Sequence, residues 1–376
     1  MIWLLANVAV AEPGWVCPDG DTVSGAPWPD GVAVGCLDPE GRADGPAGEW
    51  YPTGVKKSEG GWEHGLKVGP WRTFFEGGGP ESEGGYLADK RHGDWTWWHE
   101  SGQKWFVGHY TVSRSTGVWM YWHPNGKLES QGEFINGVKY GPWTTWHANG
   151  VKAAEGRFVA GVRDGPWVLY REDGTKERAG AYRSGRELGV WQSFREDGSV
   201  DREATYADGR LSGIERMFDD SGALISEIEW SHGEQNGFER VYWPNGQLRW
   251  EAEYVDGRRE GAYAEYGETG ILLAREHWQG GVKHGQFEAY YPDGTPRYVG
   301  RMAFGSETGV WTRWHDNGNK LAEGAYVEGK PDGRWSAWWP NGRLRSAGAY
   351  RMGQKVGVWT TASEDGVDVR TEEKGE

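Results

Sequence analysis

Gly117-Val118-Trp119-Met120-Tyr121-Trp122-His123-Pro124-Asn125-Gly126-Lys127-Leu128-Glu129-Ser130-Gln131-Gly132-Glu133-Phe134 carries the pattern that decides the fold. Its first three residues, a glycine followed two places on by a bulky side chain, recur from Gly69 through Gly93, Gly117 and Gly141 to Gly357 at a constant interval of 24 residues, and Gly45 extends the series backwards. A second glycine stands nine residues after each anchor, from Gly54 through Gly126 to Gly366. None of the 14 copies carries an insertion or deletion. A fixed period of this length marks a solenoid, in which each unit stacks on its neighbours because it cannot bury its apolar face alone.

Each copy reads as a β-hairpin. Asn or Asp precedes the second glycine in nine copies, among them Asn125, Asn149, Asp173 and Asn341. Asn-Gly and Asp-Gly suit a two-residue type I′ turn, which needs positive φ at both central positions. The flanks, such as Trp119-Met120-Tyr121-Trp122, are short and rich in strand-forming aromatics. A second loop near Gly137, Gly161 or Gly185 leads into the next copy. The expected fold is all-β: a solenoid-like, single-layer sheet of about 14 stacked 24-residue hairpins.

The turn predicts a register. With Asn125-Gly126 as the loop, Trp119 faces Gly132, and the same spacing pairs Trp71 with Gly84, Trp95 with Gly108, Trp143 with Gly156, Trp311 with Gly324 and Trp335 with Gly348. A Trp ring thus finds room above a facing glycine. Where Trp is missing the partner changes too, as in Glu215 with Ile228, Glu239 with Ala252 and Tyr263 with Glu276. Trp191 with Ala204 and Trp359 with Glu372 fit this scheme poorly.

Alternation sorts the side chains onto two faces. One carries the first Trp, its glycine, small residues such as Ser130 and Ala154, and a closing aromatic such as Tyr110 or Phe134. This is the expected packing face. The other carries Trp98, Trp122, Trp146, Tyr170, Phe194, Trp314 and Trp338 among polar residues such as Glu100, Glu129, Glu155 and Thr144. On that face Trp98, Trp122, Trp146, Tyr170, Trp314 and Trp338 are the candidate binding residues; the competing reading is that they only support neighbouring hairpins.

Composition agrees. Ile, Leu, Val and Phe supply only 59 of 376 residues, and the net charge is −15, which alone would suggest disorder. The 26 Trp and 17 Tyr reverse that reading, because each ring buries roughly 150–250 Å². An ordinary aliphatic core is excluded, and the acidic balance disfavours nucleic acid and anionic membrane surfaces.

The run Gly-x-Trp-x-x-Trp-x-x-Asn-Gly-x-Leu-x-x-x-Gly-x-Phe at Gly117–Phe134 resembles the variant MORN repeat of bacterial proteins, over residues 45–366. Such repeats are often grouped with the YwqK family of toxin–antitoxin antitoxins. The resemblance implies a non-catalytic interaction protein and supplies no catalytic residue. The chain departs from the pattern at Gly213–Gly285, where the first-strand Trp becomes Glu215, Glu239, Tyr263 or Phe287.

Residues 1–11 are apolar and end in Ala9-x-Ala11, like the end of a signal peptide, although no Lys or Arg precedes them. A buried first strand is the alternative. Cys17 and Cys36 lie in a Pro/Gly-rich segment, residues 12–44, that is expected to cap the sheet. In an exported, periplasmic or secreted protein they read as one disulfide; in a cytoplasmic one, as two free thiols. Residues 367–376 read as a charged tail.

No Cys-x-x-Cys, His-Glu-x-x-His or P-loop occurs. Asp19-Gly20-Asp21 begins like a calcium loop, but Val23 stands at a ligand position and no Glu closes it. His99, His123, His147 and His315 share one repeat position, yet copies about 10 Å apart cannot gather around one metal. Glutamates recur at spacings that would suit glycoside hydrolysis, but an unbroken period leaves no insertion to build a pocket. The expectation is therefore no enzyme, no cofactor and no metal. The expected function is a monomeric repeat scaffold binding a protein partner along its aromatic face, with a cell-envelope polysaccharide as the alternative ligand.

Overall fold

The computed structural model describes residues 16–375, so the apolar segment 1–11 lies outside the described residues. These residues form 31 strands and no helix. They divide after Arg186 into two compact units. The first holds the strands from Thr22–Ala26 to Lys176–Arg183, and the second those from Arg186–Phe194 to Val369–Lys374. Within each unit successive strands pair antiparallel, as Arg114–Trp122 pairs with Leu128–Ile135 and that strand with Val138–Trp146. Residues 369–374, set apart in the sequence as tail, form the last strand, with Trp359 opposite Glu372.

The turn at the second glycine is not the expected type I′ turn. At the anchor hairpin the His123 N–H donates to the Lys127 carbonyl, and the Gly126 N–H to the His123 carbonyl, both at 2.8 Å. Only Gly126 has positive φ, at 83°. This is a three-residue loop, Pro124-Asn125-Gly126, built as a type I turn closed by a left-handed glycine. The two-residue type I′ turn lies at the return loop instead, where Asn136 and Gly137 have φ of 51° and 84° between paired Ile135 and Val138. The expected register nevertheless holds. Glu129 bulges out of the ladder between the Trp122–Leu128 and Tyr121–Ser130 pairs, offsetting the extra loop residue and restoring Trp119 opposite Gly132.

The 24-residue anchor glycine has its own task. On the side facing the preceding hairpin the ladder runs from Tyr140–Glu133 to Trp143–Gly132, so Gly141 and Pro142 bulge out. Gly141 adopts φ of 69°, a conformation that L side chains rarely take.

This second bulge aims the indole. The Trp143 ring lies over Gly132 of the preceding hairpin, where an added Cβ would sit 2.2 Å from ring carbon Cδ2. Its N–H donates to the Glu133 carbonyl, next to the bulge, at 3.2 Å. The same contact joins Trp71 to Gly60, Trp95 to Gly84, Trp119 to Gly108 and Trp167 to Gly156 in the first unit, and Trp311 to Gly300, Trp335 to Gly324 and Trp359 to Gly348 in the second. The expected complementarity is therefore real but displaced by one strand. Each Trp pairs with its own hairpin's residue and covers the previous hairpin's glycine. Trp359, which fitted poorly against Glu372, fits Gly348.

The closing aromatics wedge edge-on between these rings. In the first unit Trp95, Tyr110, Trp119, Phe134, Trp143, Phe158 and Trp167 form a T-shaped ladder with centroids 5.0–6.5 Å apart. Trp311, Tyr326, Trp335, Tyr350 and Trp359 repeat it in the second. Cations cover its outer side. Lys67, Lys139 and Lys355 place Nζ within 4.2 Å of the centroids of Trp71, Trp143 and Trp359, so each long side chain desolvates a ring and adds a cation–π attraction.

Between residues 213 and 287 the T-shaped ladder is interrupted, with charged pairs at some positions and the tilted rings of Tyr263 and Phe287 at others. Glu215, in a Trp position over Ala204's strand, is buried and paired with Arg202. Glu276, in a glycine position, is buried and bonded to Lys283 Nζ at 2.7 Å and to the Trp278 indole N–H at 3.0 Å.

Candidate interaction surface

Trp98, Trp122, Trp146 and Tyr170 end the strands Lys90–Trp98, Arg114–Trp122, Val138–Trp146 and Gly165–Tyr170 of the first unit. Trp314 and Trp338 end Ser306–Trp314 and Lys330–Trp338 of the second. Being three residues past the ladder Trp, they project from the opposite face. All six are half-buried, whereas ladder rings such as Trp119 and Trp143 are only 2% exposed. Consecutive rings of the row stand two strands apart, about 10 Å.

Charged pairs flank the row. Lys152 Nζ lies 2.8 Å from Glu155 Oε2 and 5.7 Å from the Tyr170 ring centroid. Lys320 repeats both contacts with Glu323, at 2.6 Å, and with the Trp338 ring, at 5.9 Å. The Tyr170 hydroxyl donates to Glu155 Oε1 at 2.6 Å. Hydrogen bonds from Lys152 first, and then from Tyr170, hold the Glu155 carboxyl below the usual glutamate range. That bond to Glu155, reinforced by burial, pushes the Tyr170 phenol up to about 12.

Burial pushes Tyr121 and Tyr263 up to about 12 as well. A phenol whose pKa is raised by folding contributes stability that is complete below the unfolded value of about 10 and is lost as pH rises through the folded value. Phenolate absorbance should therefore show tyrosines that ionise only near pH 12, with stability falling as pH rises from about 10 toward that value. A single wave near pH 10 in the folded protein would contradict these environments.

The repeated histidines join neighbouring loops. Nε2 of His99, His123, His147 and His315 lies 2.9–3.2 Å from the carbonyl of Trp122, Trp146, Tyr170 and Trp338 respectively, each 23 residues on. Trp243, Tyr291 and Trp339 donate to the next loop from the same repeat position. In these copies the position carries a side chain that donates across repeats, whereas Phe75, Asp219 and Gly267 stand there in others. Asn125 adds a second stitch: its amide donates to the Ala148 carbonyl at 2.6 Å while its Oδ1 accepts from the Lys127 N–H. Asp173 instead turns its carboxylate back onto the N–H and hydroxyl of Thr175.

At the start of the first unit, Cys17 and Cys36 form a disulfide. Beside it Asp38, Asp44 and His64 converge, a grouping that the sequence did not reveal because the three come from separate strands and turns.

Residues 91–111 and 115–136 match the family model of the MORN repeat variant, so the chain carries MORN-type repeats. No curated protein matches the sequence. Among solved structures, the crystal structure of TcdB2-TccC3-Cdc42 is similar at 10% identity over 89% of this chain and 22% of that one, with a TM-score of 0.18. The Tc holotoxin pore of Photorhabdus luminescens is similar at 10% identity over 87% and 22%, with a TM-score of 0.16. The chain spans about a fifth of the length of these relatives.

Proposed function

We propose that the protein is a non-enzymatic repeat scaffold that captures a protein partner along the row Trp98, Trp122, Trp146 and Tyr170 of the first unit, with Trp314 and Trp338 as the corresponding rings of the second unit. The carrying observation is the contrast between faces. Rings on one face are consumed in covering glycines, whereas those on the other keep part of their surface open at the same place in copy after copy. Half-exposed Trp and Tyr between ion pairs resemble the aromatic anchors and polar surroundings of protein interfaces. The resemblance to antitoxin-grouped repeats makes a protein toxin one candidate partner. The Cys17–Cys36 disulfide supports an oxidising compartment and hence export.

The test is a triple variant, Trp98→Ala, Trp122→Ala and Trp146→Ala. Proteins of the native host should be captured by the wild type and lost at least tenfold by the variant, with its far-ultraviolet spectrum and melting unchanged. Undiminished capture removes the row from the interface. Binding to purified cell-wall glycan, with quenching of Trp fluorescence and no protein captured, would replace the protein partner with a polysaccharide.

A further inference from the structure

We propose that Asp21, Asp38, Asp44 and His64 form a binding site for a divalent transition-metal ion, with zinc as the best-matched class, in the disulfide-stapled segment that opens the first unit.

The register assembles the four groups from successive strands. Thr22 pairs with Leu37, so Asp21 and Asp38 flank the end of the first hairpin on opposite strands. Leu37 pairs with Ala43, which brings Asp44 alongside, and Gly45 pairs with Trp62, which places His64 just beyond. The donor atoms of Asp38, Asp44 and His64 all lie within 4.8 Å of one another. His64 Nδ1 is 3.6 Å from Asp44 Oδ2 and 3.8 Å from Asp38 Oδ2. Those separations are too long for good hydrogen bonds. They are close to the spacing of two ligands on one tetrahedral zinc, about 3.4 Å for metal–ligand bonds of about 2.0–2.2 Å.

Asp21 supplies the independent observation. Its Oδ2 is shut off from solvent and has no hydrogen-bond partner. A buried carboxylate oxygen without a donor is costly. Burial first, and then the charges of Asp44, Asp38 and Glu40, push the Asp21 carboxyl up, against a smaller opposing effect of His64. A cation among these groups would relieve both the repulsion and the orphaned oxygen.

Arg42 is the cation already bonded at the site, and it holds Asp38 from the outer side of the group as a hydrogen-bonded carboxylate ligand is usually held. Asp38 Oδ1 accepts the backbone N–H groups of Glu40 and Arg42, and its Oδ2 accepts Arg42 Nε at 2.7 Å. The Arg42 guanidinium also reaches Glu40, at 3.1 Å. These bonds outweigh the opposing effect of burial and hold the Asp38 carboxyl below the usual range. Arg42 thus orients Asp38 without bonding to Asp44 or Asp21. Cys36 lies two residues before Asp38, and an added Cβ on Gly45, next to Asp44, would strike the Pro18 ring at 2.7 Å. The stapled segment therefore packs closely against the backbone next to Asp44. One imidazole among carboxylates favours zinc over calcium, which prefers an all-oxygen shell.

The experiment titrates chelator-treated full-length protein, disulfide intact, with zinc chloride and separately with calcium chloride in a calorimeter. The expected result is one zinc site per chain, calcium at least tenfold weaker, and a zinc-induced rise in melting temperature. Asp21→Asn and His64→Ala, each checked by thiol assay and melting, should weaken zinc at least tenfold. Asp38→Asn is a poorer probe, because it also breaks the Arg42 bonds. No zinc heat, calcium tighter than zinc, or unchanged zinc affinity in both variants overturns the proposal; the last would assign the metal to another histidine.

Discussion

Trp143→Ala should lower the local stability of the first unit by about 3–5 kcal/mol, as deletion of a buried Trp usually does. The ring is 2% exposed and stands between Phe134 and Phe158 at centroid distances of 5.3 and 5.8 Å. Lys139 Nζ lies 4.1 Å from its centroid, and its N–H satisfies the Glu133 carbonyl. Truncation would leave a hollow above Gly132, would cost Phe134 and Phe158 one of their two edge-on partners, Trp119 and Trp167 remaining, and would remove the indole bond to the Glu133 carbonyl. In a repeat sheet each strand gains its stability from its neighbours, so the loss should stay local. Hydrogen exchange is the measurement. Protection should fall in Leu128–Ile135, Val138–Trp146 and Lys152–Val159 and persist in Leu66–Phe74. Equal loss in Leu66–Phe74 would show that the unit opens as a whole.

Periodicity made the hairpin, the two faces and the register legible, because a constant 24-residue interval leaves little freedom in how copies align. The turns were misread for a physical reason. Asn125-Gly126 is a strong type I′ signal, but Pro124 ahead of it suits the first corner of a type I turn, and the return loops that do adopt type I′ hide it behind residues such as Val112, Phe304 and Met352. The register survived that error only because the Glu129 bulge cancels it. Phe287 and Gly300 held the clue to the true packing partner. They pair with each other, so a Trp–Gly rule within one hairpin fails there, yet Gly300 is followed in the next strand by Trp311, which covers it. The same shift explains Glu215, which follows Ala204, and Phe287, which follows Glu276. On the polar face alternation alone located the six candidate rings, but their flanking contacts depend on rotamers of Lys152 and Lys320 that no spacing specifies. The convergence of Asp38, Asp44 and His64 was invisible for a related reason, since Asp38 and Asp44 precede the first repeat and only His64 belongs to it.

Gly132→Ala decides which indole the glycine serves. Gly132 is paired with Trp119 on one side and with Trp143 on the other, so pairing alone does not distinguish them. Its φ lies outside the left-handed region, so the substitution tests space rather than backbone strain. The added methyl would fall 2.2 Å from Trp143 Cδ2, and overpacking of this kind costs about 1–3 kcal/mol. Combined with Trp143→Ala, the methyl meets no ring, and the double variant should be less destabilised than the sum of the two by at least about 1 kcal/mol. Combined with Trp119→Ala, whose ring lies over Gly108, the effects should add to within about 0.5 kcal/mol. Opening free energies from hydrogen exchange in Leu128–Ile135 provide all the terms of both cycles. Coupling to Trp119 in place of Trp143 would mean that each hairpin packs its own indole. Coupling to Trp143 means that the ring is shared between repeats, so a copy that loses its glycine removes the support of the following Trp, and Trp and Gly must be exchanged together one strand apart.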